Sequence, residues 1–359
     1  MQTVVNSRGT MLDMTQNSGH ANNHPTIKDV AALAQVAPKT VSRVINEEPY
    51  VSSTTKERVL SAIKELHYRP DVHAADLKRG KSHSRTLGVL LGARPNPFSS
   101  SVHWSIDSVA VQHSSLVLAS ALTGNQDRDS KTVDEMLSRR IDGLILVTAA
   151  SSQDYLISEM RRGLAVVFAD STSMGLPSDT VMSDNYAGAI NGTRALLSIG
   201  HRNMAYLGAK KNVYTVSQRR KGFLAAVKES SLPMGNIDLV DDMDERKAYT
   251  VTCRLIDRAR AKRPTAIFAG QNLIARGVIR ALRTRGLEKS IAIISFDDAD
   301  MFDMLDPGIT VIKQNPENIG RIAANMAFER INGLTAEPRH ILLPTELIPR
   351  GSGEIPPSQ

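Results

Sequence analysis

A chain of 359 residues is too long for one ordinary domain and suits two or three. Hydrophobic residues make up 41% of it and charged residues 23%, as in a soluble globular protein, and no apolar run reaches the roughly 20 residues that span a bilayer, which argues against a membrane protein. The formal net charge of +7 is compatible with a nucleic acid partner but is weak evidence for one by itself.

Residues 1–24 are polar and rich in asparagine, without hydrophobic periodicity. We expect a disordered lead there, or an over-long start in place of Met11 or Met14. The lead lacks the apolar core of a signal peptide, and Cys253 is the one cysteine of the chain, so an internal disulfide is excluded. Both observations favour the reducing cytoplasm.

Residues 25–69 predict three short helices. Thr26 can cap the first helix, and Asp29 lies three residues on, where it can reach back to the helix start. A tight turn is expected at Gln35 and Val36, between the first and second helices.

The second predicted helix, Pro38 to Asn46, has one apolar and one polar face. Apolar residues at spacings of three and four would pack on the first helix, namely Val41, Val44 and Ile45. The side chains left outward are Lys39, Thr40, Ser42, Arg43 and Asn46. Small hydroxyls beside long cations suit phosphate contacts and base reading in a major groove. A plain three-helix bundle with a solvated polar face is the alternative.

A third helix, capped by Ser52 or Ser53, completes the three-helix segment of residues 25–69, which we call the head. Residues 70–85 predict a short helix and a basic linker, and this helix is shorter than the roughly 12–15 residues that an isolated helix needs. From residue 86 onward, short apolar runs alternate with helical patterns, which is typical of βαβ units with buried parallel strands. The apolar runs are Leu87–Leu91, Leu116–Leu122, Gly143–Val147, Ala165–Phe168, Met204–Leu207, Ala266–Ala269 and Ile291–Phe296.

The chain closely resembles, without gaps, the DNA-binding head of the LacI family of bacterial transcriptional regulators over the string TIKDVAALAQVAPKTVSRVINEEPYVSSTTKERVLSAIKELHYRP. The resemblance runs on to about residue 353. It implies that the family's base-reading positions are held by Pro38, Lys39 and Arg43. It implies phosphate-side positions for Thr40, Ser42, Asn46, Tyr50, Ser52 and Thr55. Ala37 replaces a usual Ser cap, which should cost about 1 kcal/mol, and Gln35 replaces a usual Gly in the turn.

In this family the short helices of two protomers fold together against the minor groove. The resemblance implies that Leu77 is the apolar wedge that opens the central base step and that Ala74 lies against the groove floor. His73 and Asp76 depart from the usual small or basic residues. A plain linker is the alternative.

The later part of the chain resembles the family's periplasmic-binding-protein-like core over motifs that include Asn96-Pro97-Phe98, Ser183-Asp184-Asn185 and Phe296-Asp297-Asp298. In that core two lobes enclose a ligand at their strand ends. Asp297 matches the family's hydroxyl-binding carboxylate and Arg219 its pocket arginine. Gln271 or Asn272 matches an Asn-Asp pair. The wall candidates, for which core packing is the alternative, are Phe98, Ser99 and Phe268. Uncharged residues at 213–215, where some relatives carry a charge, favour a neutral ligand such as a sugar or polyol over a strongly anionic one.

The expected architecture is therefore a small all-α helix-turn-helix head plus an α/β two-lobed periplasmic-binding-protein-like domain with parallel sheets. The expected segments are a lead at 1–24, the DNA-binding domain at 25–69, the hinge helix and linker at 70–85, the effector-binding and dimerisation domain at 86–353, and a tail at 354–359. Trp104 lies on the first helix of the effector-binding and dimerisation domain. It is either a dimer contact, as the resemblance implies, or a core residue. The tail lacks a leucine heptad, so no tetramerising helix is expected.

The predicted function is a cytoplasmic, homodimeric repressor that binds near-palindromic double-stranded operator DNA under the control of a small effector. An enzyme is the first rival, since Ser61 begins an S-x-x-K and Ser183 an S-D-N, but K-T-G is missing and Ser61 lies in the head. We expect no catalytic residues, no metal, no cofactor and no membrane partner. An exported sugar carrier is the second rival, and the fused head argues against it.

Overall fold

The computed structural model describes residues 25–69, 84–92, 96–123, 125–147, 153–173 and 175–358. These residues fall into two compact units that separate between residues 69 and 84. The predicted lead and most of the predicted hinge, with Ala74 and Leu77, lie outside the described residues. None of the described helices is both long enough and apolar enough to cross a membrane.

The first unit is the predicted helical head. Its helices are α1 (Ile27–Leu33), α2 (Pro38–Ile45) and α3 (Ser53–Glu65). Leu33, the last residue of α1, is exposed. The three helices enclose one small core, made of Val30, Ala31, Ala34, Val41, Val44, Val59 and Ala62.

Local sequence determines where the helices of the head begin and turn. The Asp29 carboxylate accepts hydrogen bonds from the backbone nitrogen and the hydroxyl of Thr26, both at 2.7 Å, and these bonds lower the pKa of Asp29. Gln35 adopts φ +52° in the turn, a left-handed conformation that favours glycine. Ala37 gives α2 no side-chain cap, whereas Pro38 fits the first helical position, where its missing N–H has no partner to lose.

The second unit contains two six-stranded sheets. Their strands are β1 (Thr86–Gly92), β2 (Leu116–Leu122), β3 (Gly143–Val147), β4 (Ala165–Ala169), β5 (Asp179–Ser183), β6 (Met204–Leu207), β7 (Ile237–Val240), β8 (Ala266–Ala269), β9 (Ala292–Phe296), β10 (Thr310–Lys313), β11 (His340–Leu343) and β12 (Glu346–Ile348). The strand orders are β11-β5-β4-β3-β1-β2 and β12-β10-β9-β8-β6-β7. The first sheet is parallel throughout, and the second is parallel except at β12, which runs antiparallel to β10. The predicted class is therefore confirmed.

Helices cover both faces of each sheet. They are α4 (Pro97–Gln112), α5 (Gln126–Ser138), α6 (Ile157–Arg161), α7 (Asn185–Ile199), α8 (Tyr214–Glu229), α9 (Glu245–Ile256), α10 (Asn272–Thr284) and α11 (Pro316–Ile331). Helices α4 and α11 pack on one face of the first sheet and α5 and α6 on the other. Helices α7 and α8 pack on one face of the second sheet and α9 and α10 on the other.

The chain crosses between the two lobes three times, after β5, after β10, and between β11 and β12. Residues that follow β1 and β9 line the same cleft, so the carboxyl ends of the two sheets face one another across it. Open parallel sheets bind ligands at this edge.

Candidate functional site

The outward face of α2 carries the predicted DNA-reading side chains. Pro38, Lys39 and Arg43 are exposed, and Val41 and Val44 anchor the opposite face in the core. The remaining predicted contacts on this helix are half-buried, namely Thr40, Ser42 and Asn46.

Arg43 pairs with Glu48 at 3.7 Å, and both side chains are about half exposed, at 46% and 49%. An exposed pair of this kind contributes about 0–1 kcal/mol, so Arg43 is free to exchange Glu48 for a base edge at small cost.

The start of α3 carries the predicted phosphate-side residues. Ser52 accepts a hydrogen bond from the backbone nitrogen of Thr55 at 3.3 Å and donates one to its hydroxyl at 2.8 Å. Tyr50 is 99% exposed and adopts φ +80°, which projects its ring into solvent beside this helix start. Helix N-termini attract anions, so these positions suit phosphate.

The cleft between the lobes of the second unit has a volume of about 510 Å³. Phe98 lines it from the first lobe, and Asp297 and Gln314 line it from the second. Asn96 accepts a hydrogen bond from the backbone nitrogen of Phe98 at 3.0 Å and so caps α4 at the cleft edge.

Asp297 and Arg219 form a buried ion pair beside the cleft. They are 5% and 4% exposed, and Nη1 of Arg219 lies 3.0 Å from Oδ2 of Asp297. Gln314 donates from Nε2 to Oδ1 of Asp297, so both carboxylate oxygens have a partner. Asp297 follows β9 in a left-handed conformation with φ +69°, which turns the chain at the strand end.

Arg219 has three further contacts that hold it in place. Its Nε donates to Oδ1 of Asn185 at 2.7 Å, and its Nη1 donates to the carbonyl oxygen of Gly270 at 2.9 Å. Its guanidinium carbon lies 3.9 Å from the ring centre of Phe296. Asn185 lies at the first crossing between the lobes and Gln314 at the second, so the ion pair is bonded to two of the three connections.

Asn272 joins the lobes directly. Its side chain is fully buried and donates to Oδ1 of Asn96 at 3.3 Å and to the carbonyl oxygen of Asp298 at 3.1 Å. Arg350 holds the Asp298 carboxylate with two bonds, of 2.8 and 2.6 Å. Burial alone would raise the pKa of Asp298, but the Arg350 guanidinium outweighs it and keeps that pKa below its usual range.

The charged side chains around the cleft are mostly acidic. The acids are Asp297, Asp298, Asp300, Asp303 and Glu317, and the bases are Lys313 and Arg350. Such a lining offers acceptors for hydroxyl groups and repels an anion. It supports the preference for a neutral ligand that the sequence indicated.

Phe268 does not belong to the cleft wall. It is fully buried in the core between the second sheet and helices α7 and α8, with its ring 5.7 Å from that of Tyr206 and 5.6 Å from that of Phe223. Core packing, the alternative, is what the structure shows. Ser99 is half-buried on α4, and Gln271 is half-buried at the start of α10. Neither lines the cleft, and the buried Arg219 and Asn272 lie behind its lining residues and do not line it either.

Trp104 is 68% exposed on α4, so the core alternative for this residue is excluded. Its neighbours on the helix, His103 and Asp107, are half-buried and exposed respectively. A large aromatic side chain in this position is suited to an interface.

Sequence reasoning missed several residues of this site. Asn96, Asn185 and Asp298 lie inside motifs that carried the resemblance, but no role followed from them. Gln314 and Arg350 had no signal, because each meets its carboxylate partner only through the folding of distant strands.

Comparisons with known proteins agree with this geometry. The model of bacterial regulatory proteins of the lacI family matches residues 26–71, and that of a periplasmic binding protein-like domain matches residues 193–353. The HTH-type transcriptional repressor PurR of Erwinia tasmaniensis is 32% identical over 333 residues, or 91% of this chain and 96% of that protein.

Two solved structures are similar in fold. The lac repressor dimer bound to operator and the anti-inducer ONPF has a TM-score of 0.79 at 24% identity, over 92% of this chain and 99% of that one. A LacI family transcriptional regulator from Enterococcus faecium with bound ribose has a TM-score of 0.68 at 25% identity, over 76% of this chain and 100% of that one.

Proposed function

The chain belongs to the LacI family of bacterial regulatory proteins, and from this premise we propose that it is a cytoplasmic, homodimeric transcriptional repressor controlled by a small neutral ligand. The head binds operator DNA through the outward face of α2 and the start of α3. The ligand, a sugar or polyol, binds in the cleft between the lobes of the second unit. No step of this function requires catalysis.

The observation that carries the proposal is the buried Arg219–Asp297 pair at the edge of the cleft. A buried ion pair is weak evidence for stability, because desolvation of the two charges offsets much of their attraction. A carboxylate and a guanidinium side by side do, however, match adjacent hydroxyl groups, since one accepts and the other donates. A ribose-bound family member and an operator-bound lac repressor support the same division of roles.

Ligand binding would act on the connections between the lobes. A hydroxyl that bonds to Asp297 competes with Gln314, and one that bonds to Arg219 competes with Asn185. Either exchange alters a contact at a crossing between the lobes and so shifts their relative position. A coupling of about 1–3 kcal/mol would change operator affinity about 5–150-fold.

Calorimetry of the full chain with D-ribose, cellobiose, D-glucitol, hypoxanthine and ribose 5-phosphate tests the ligand class. We expect a neutral sugar or polyol to bind, and ribose 5-phosphate to bind more weakly than ribose because of the acidic cleft. Binding of hypoxanthine or ribose 5-phosphate alone, or of nothing in this panel, would contradict the proposal.

The matched variants are Asp297→Asn, which keeps the shape of the side chain, and Arg194→Ala, which breaks an exposed pair with Glu229 elsewhere in the same lobe. We expect Asp297→Asn to weaken ligand binding at least tenfold and Arg194→Ala to leave it unchanged. Thermal unfolding shows whether each variant is folded.

A further inference from the structure

The largest excess of positive charge in the chain lies outside the DNA-binding head. Residues 245–289 contain 12 Lys and Arg and 3 Asp and Glu, whereas residues 25–85 contain 11 and 7. The excess therefore lies on the second lobe, around helices α9 and α10.

Much of this charge collects at one edge of the second sheet. The turn Arg260–Lys262 comes just before β8, and Arg285 and Lys289 come just before β9. This is the amino-terminal edge of the parallel strands, opposite the carboxyl edge where Asp297 meets the cleft. We call it the basic edge and define it by Arg254, Arg258, Arg260, Lys262, Arg283 and Arg285, all of them exposed.

Only part of this charge is neutralised within the chain. Arg258 pairs with Asp238 at 2.7 Å, and Arg285 pairs with Asp257 at 3.0 Å. Across the described residues, the cations of the edge with no acid within ion-pair distance are Arg254, Arg260, Lys262 and Arg283. Helix C-termini favour one cation each, which accounts for Arg254 and Arg283 but not for Arg260 and Lys262.

The chemistry of the edge distinguishes between kinds of partner. Among the described residues 245–289 no large hydrophobic side chain is exposed. A protein interface needs an apolar centre and a membrane surface needs apolar anchors, so both fit poorly. The phosphate backbone of a nucleic acid needs neither, and the planar fork of arginine binds phosphate with two parallel hydrogen bonds.

We propose that the basic edge binds the phosphate backbone of a second DNA duplex while the head holds the operator. The site lies away from the cleft, so the ligand and the second duplex do not compete for it. The protein would then connect two DNA segments. Contacts of this kind carry no sequence preference and weaken steeply with salt.

The experiment uses the full chain bound to unlabelled operator and titrates in a fluorescent duplex of random sequence. The test variant is Arg254→Ala/Arg260→Ala/Arg283→Ala. The matched control, Arg128→Ala/Lys131→Ala/Arg161→Ala, removes three exposed cations from the first lobe. The lysine variant Arg254→Lys/Arg260→Lys/Arg283→Lys keeps the positive charges but lacks the planar guanidinium groups. It therefore distinguishes the effect of charge from that of guanidinium geometry.

We expect the operator complex of the parent and of the control to capture the random duplex. The alanine variant should lose at least tenfold in this affinity near 50 mM salt, and its plot of log affinity against log salt should flatten by about 2–3. The lysine variant should keep the salt slope. If the alanine variant captures the random duplex as well as the parent does, the proposal is overturned. An edge that binds an acidic protein and not DNA would give this same result.

The failure of this inference differs from a failure of the proposed function. If no operator is bound, the proposed function fails. The inference can then still be tested, because the affinities of the alanine variant and the control for the random duplex are measured on the free chain. If operator is bound but the alanine variant behaves like the parent, the inference alone fails.

Discussion

At the scale of single residues, Arg219 shows how much a functional side chain depends on what holds it. Its guanidinium meets a carboxylate, an amide oxygen, a backbone carbonyl and an aromatic face at once. Such an arginine is fixed before any ligand arrives, so little side-chain entropy remains to be lost on binding. The resemblance predicted Arg219 and Asp297 as site residues, and the structure places them 3.0 Å apart.

Phe268 shows where residue-level prediction fails. Helices cover both faces of this sheet and the cleft lies at the ends of its strands, so a short apolar run such as β8 does not reveal which of its residues comes near the cleft. All four residues of β8 are buried, so its apolar pattern did not distinguish Phe268 from its neighbours. Gln314 was missed because no local pattern in the sequence links it to Asp297. Asp297 lies 17 residues away, and the two side chains meet only where the chain crosses between the lobes.

Arg43 is the residue on which DNA reading by the head can be tested. It projects from α2 with only an exposed partner, Glu48, and the sequence resemblance predicts a base-reading side chain there. We expect Arg43→Ala to lose about 1–3 kcal/mol of operator binding and to relax the preference at one base pair of each half-site. Competition binding with operators mutated one base pair at a time measures both effects.

Lys56→Ala, at an exposed position on α3 without an ion pair among the described residues, is the control for Arg43→Ala. It should leave the base preference unchanged. If Arg43→Ala keeps the full ratio between operator and random DNA, the assignment of α2 positions to bases is wrong.

At the scale of elements, the strands that the sequence missed are mostly those at the edges of the sheets. Strands β7, β11 and β12 lie at or next to an edge, and no residue of theirs is fully buried. An edge strand carries a weaker apolar signal than a central one, so pattern alone can miss it, although the edge strand β2 was predicted from its apolar run. Strands β5 and β10 were also missed, and each lies next to an edge strand. Strand β5 begins with Asp179 and ends with Ser183, and β10 begins with Thr310 and ends with Lys313, so the apolar run of each is short.

Asp179 also explains how three elements are held together. It begins β5 and accepts hydrogen bonds from Arg330, near the end of α11, and from Arg339, just before β11. Its side chain is fully buried. Burial alone would raise the pKa of Asp179, but the two arginines outweigh it and hold that pKa at about 2.

This cluster predicts a particular dependence of stability on pH. A carboxylate with a pKa of about 2 in the folded protein and an ordinary value of 3.8 in the unfolded chain stabilises the fold above pH 4. The contribution, about 2 kcal/mol, is lost as the pH falls from about 4 to 2, because the unfolded chain binds the proton first. Asp179→Asn removes this contribution and leaves Arg330 without an ion-pair partner among the described residues, whereas Arg339 keeps Glu329.

Urea unfolding of the parent and of Asp179→Asn, followed by circular dichroism between pH 7 and pH 3, checks the expectation. The difference in unfolding free energy should be constant near neutral pH and shrink below about pH 4. Asp134→Asn, at an exposed position on α5, should show no such difference. A difference that grows as the pH falls would refute this account of the cluster.

At the scale of the whole molecule, the two units could be predicted from the sequence for different reasons. The helical head was predictable because α1 and α3 have side-chain caps, the helices have a clear 3.6-residue period and the resemblance is contiguous. The two-lobed unit was predictable in class because buried parallel strands read as continuous apolar runs. The three crossings were not, since a chain that returns to an earlier sheet leaves no local pattern at the point of return.

The central claim is that the cleft controls the head, and one titration tests it most directly. Anisotropy of labelled operator is measured with the full chain as the ligand found by calorimetry is added to saturation, in the parent and in Asp297→Asn. The account predicts a 5–150-fold change in operator affinity for the parent. It predicts that Asp297→Asn responds only at ligand concentrations at least tenfold higher than the parent needs, with equal operator affinity of the two proteins before ligand is added. An operator affinity of the parent that stays constant while the cleft is saturated with ligand would contradict it.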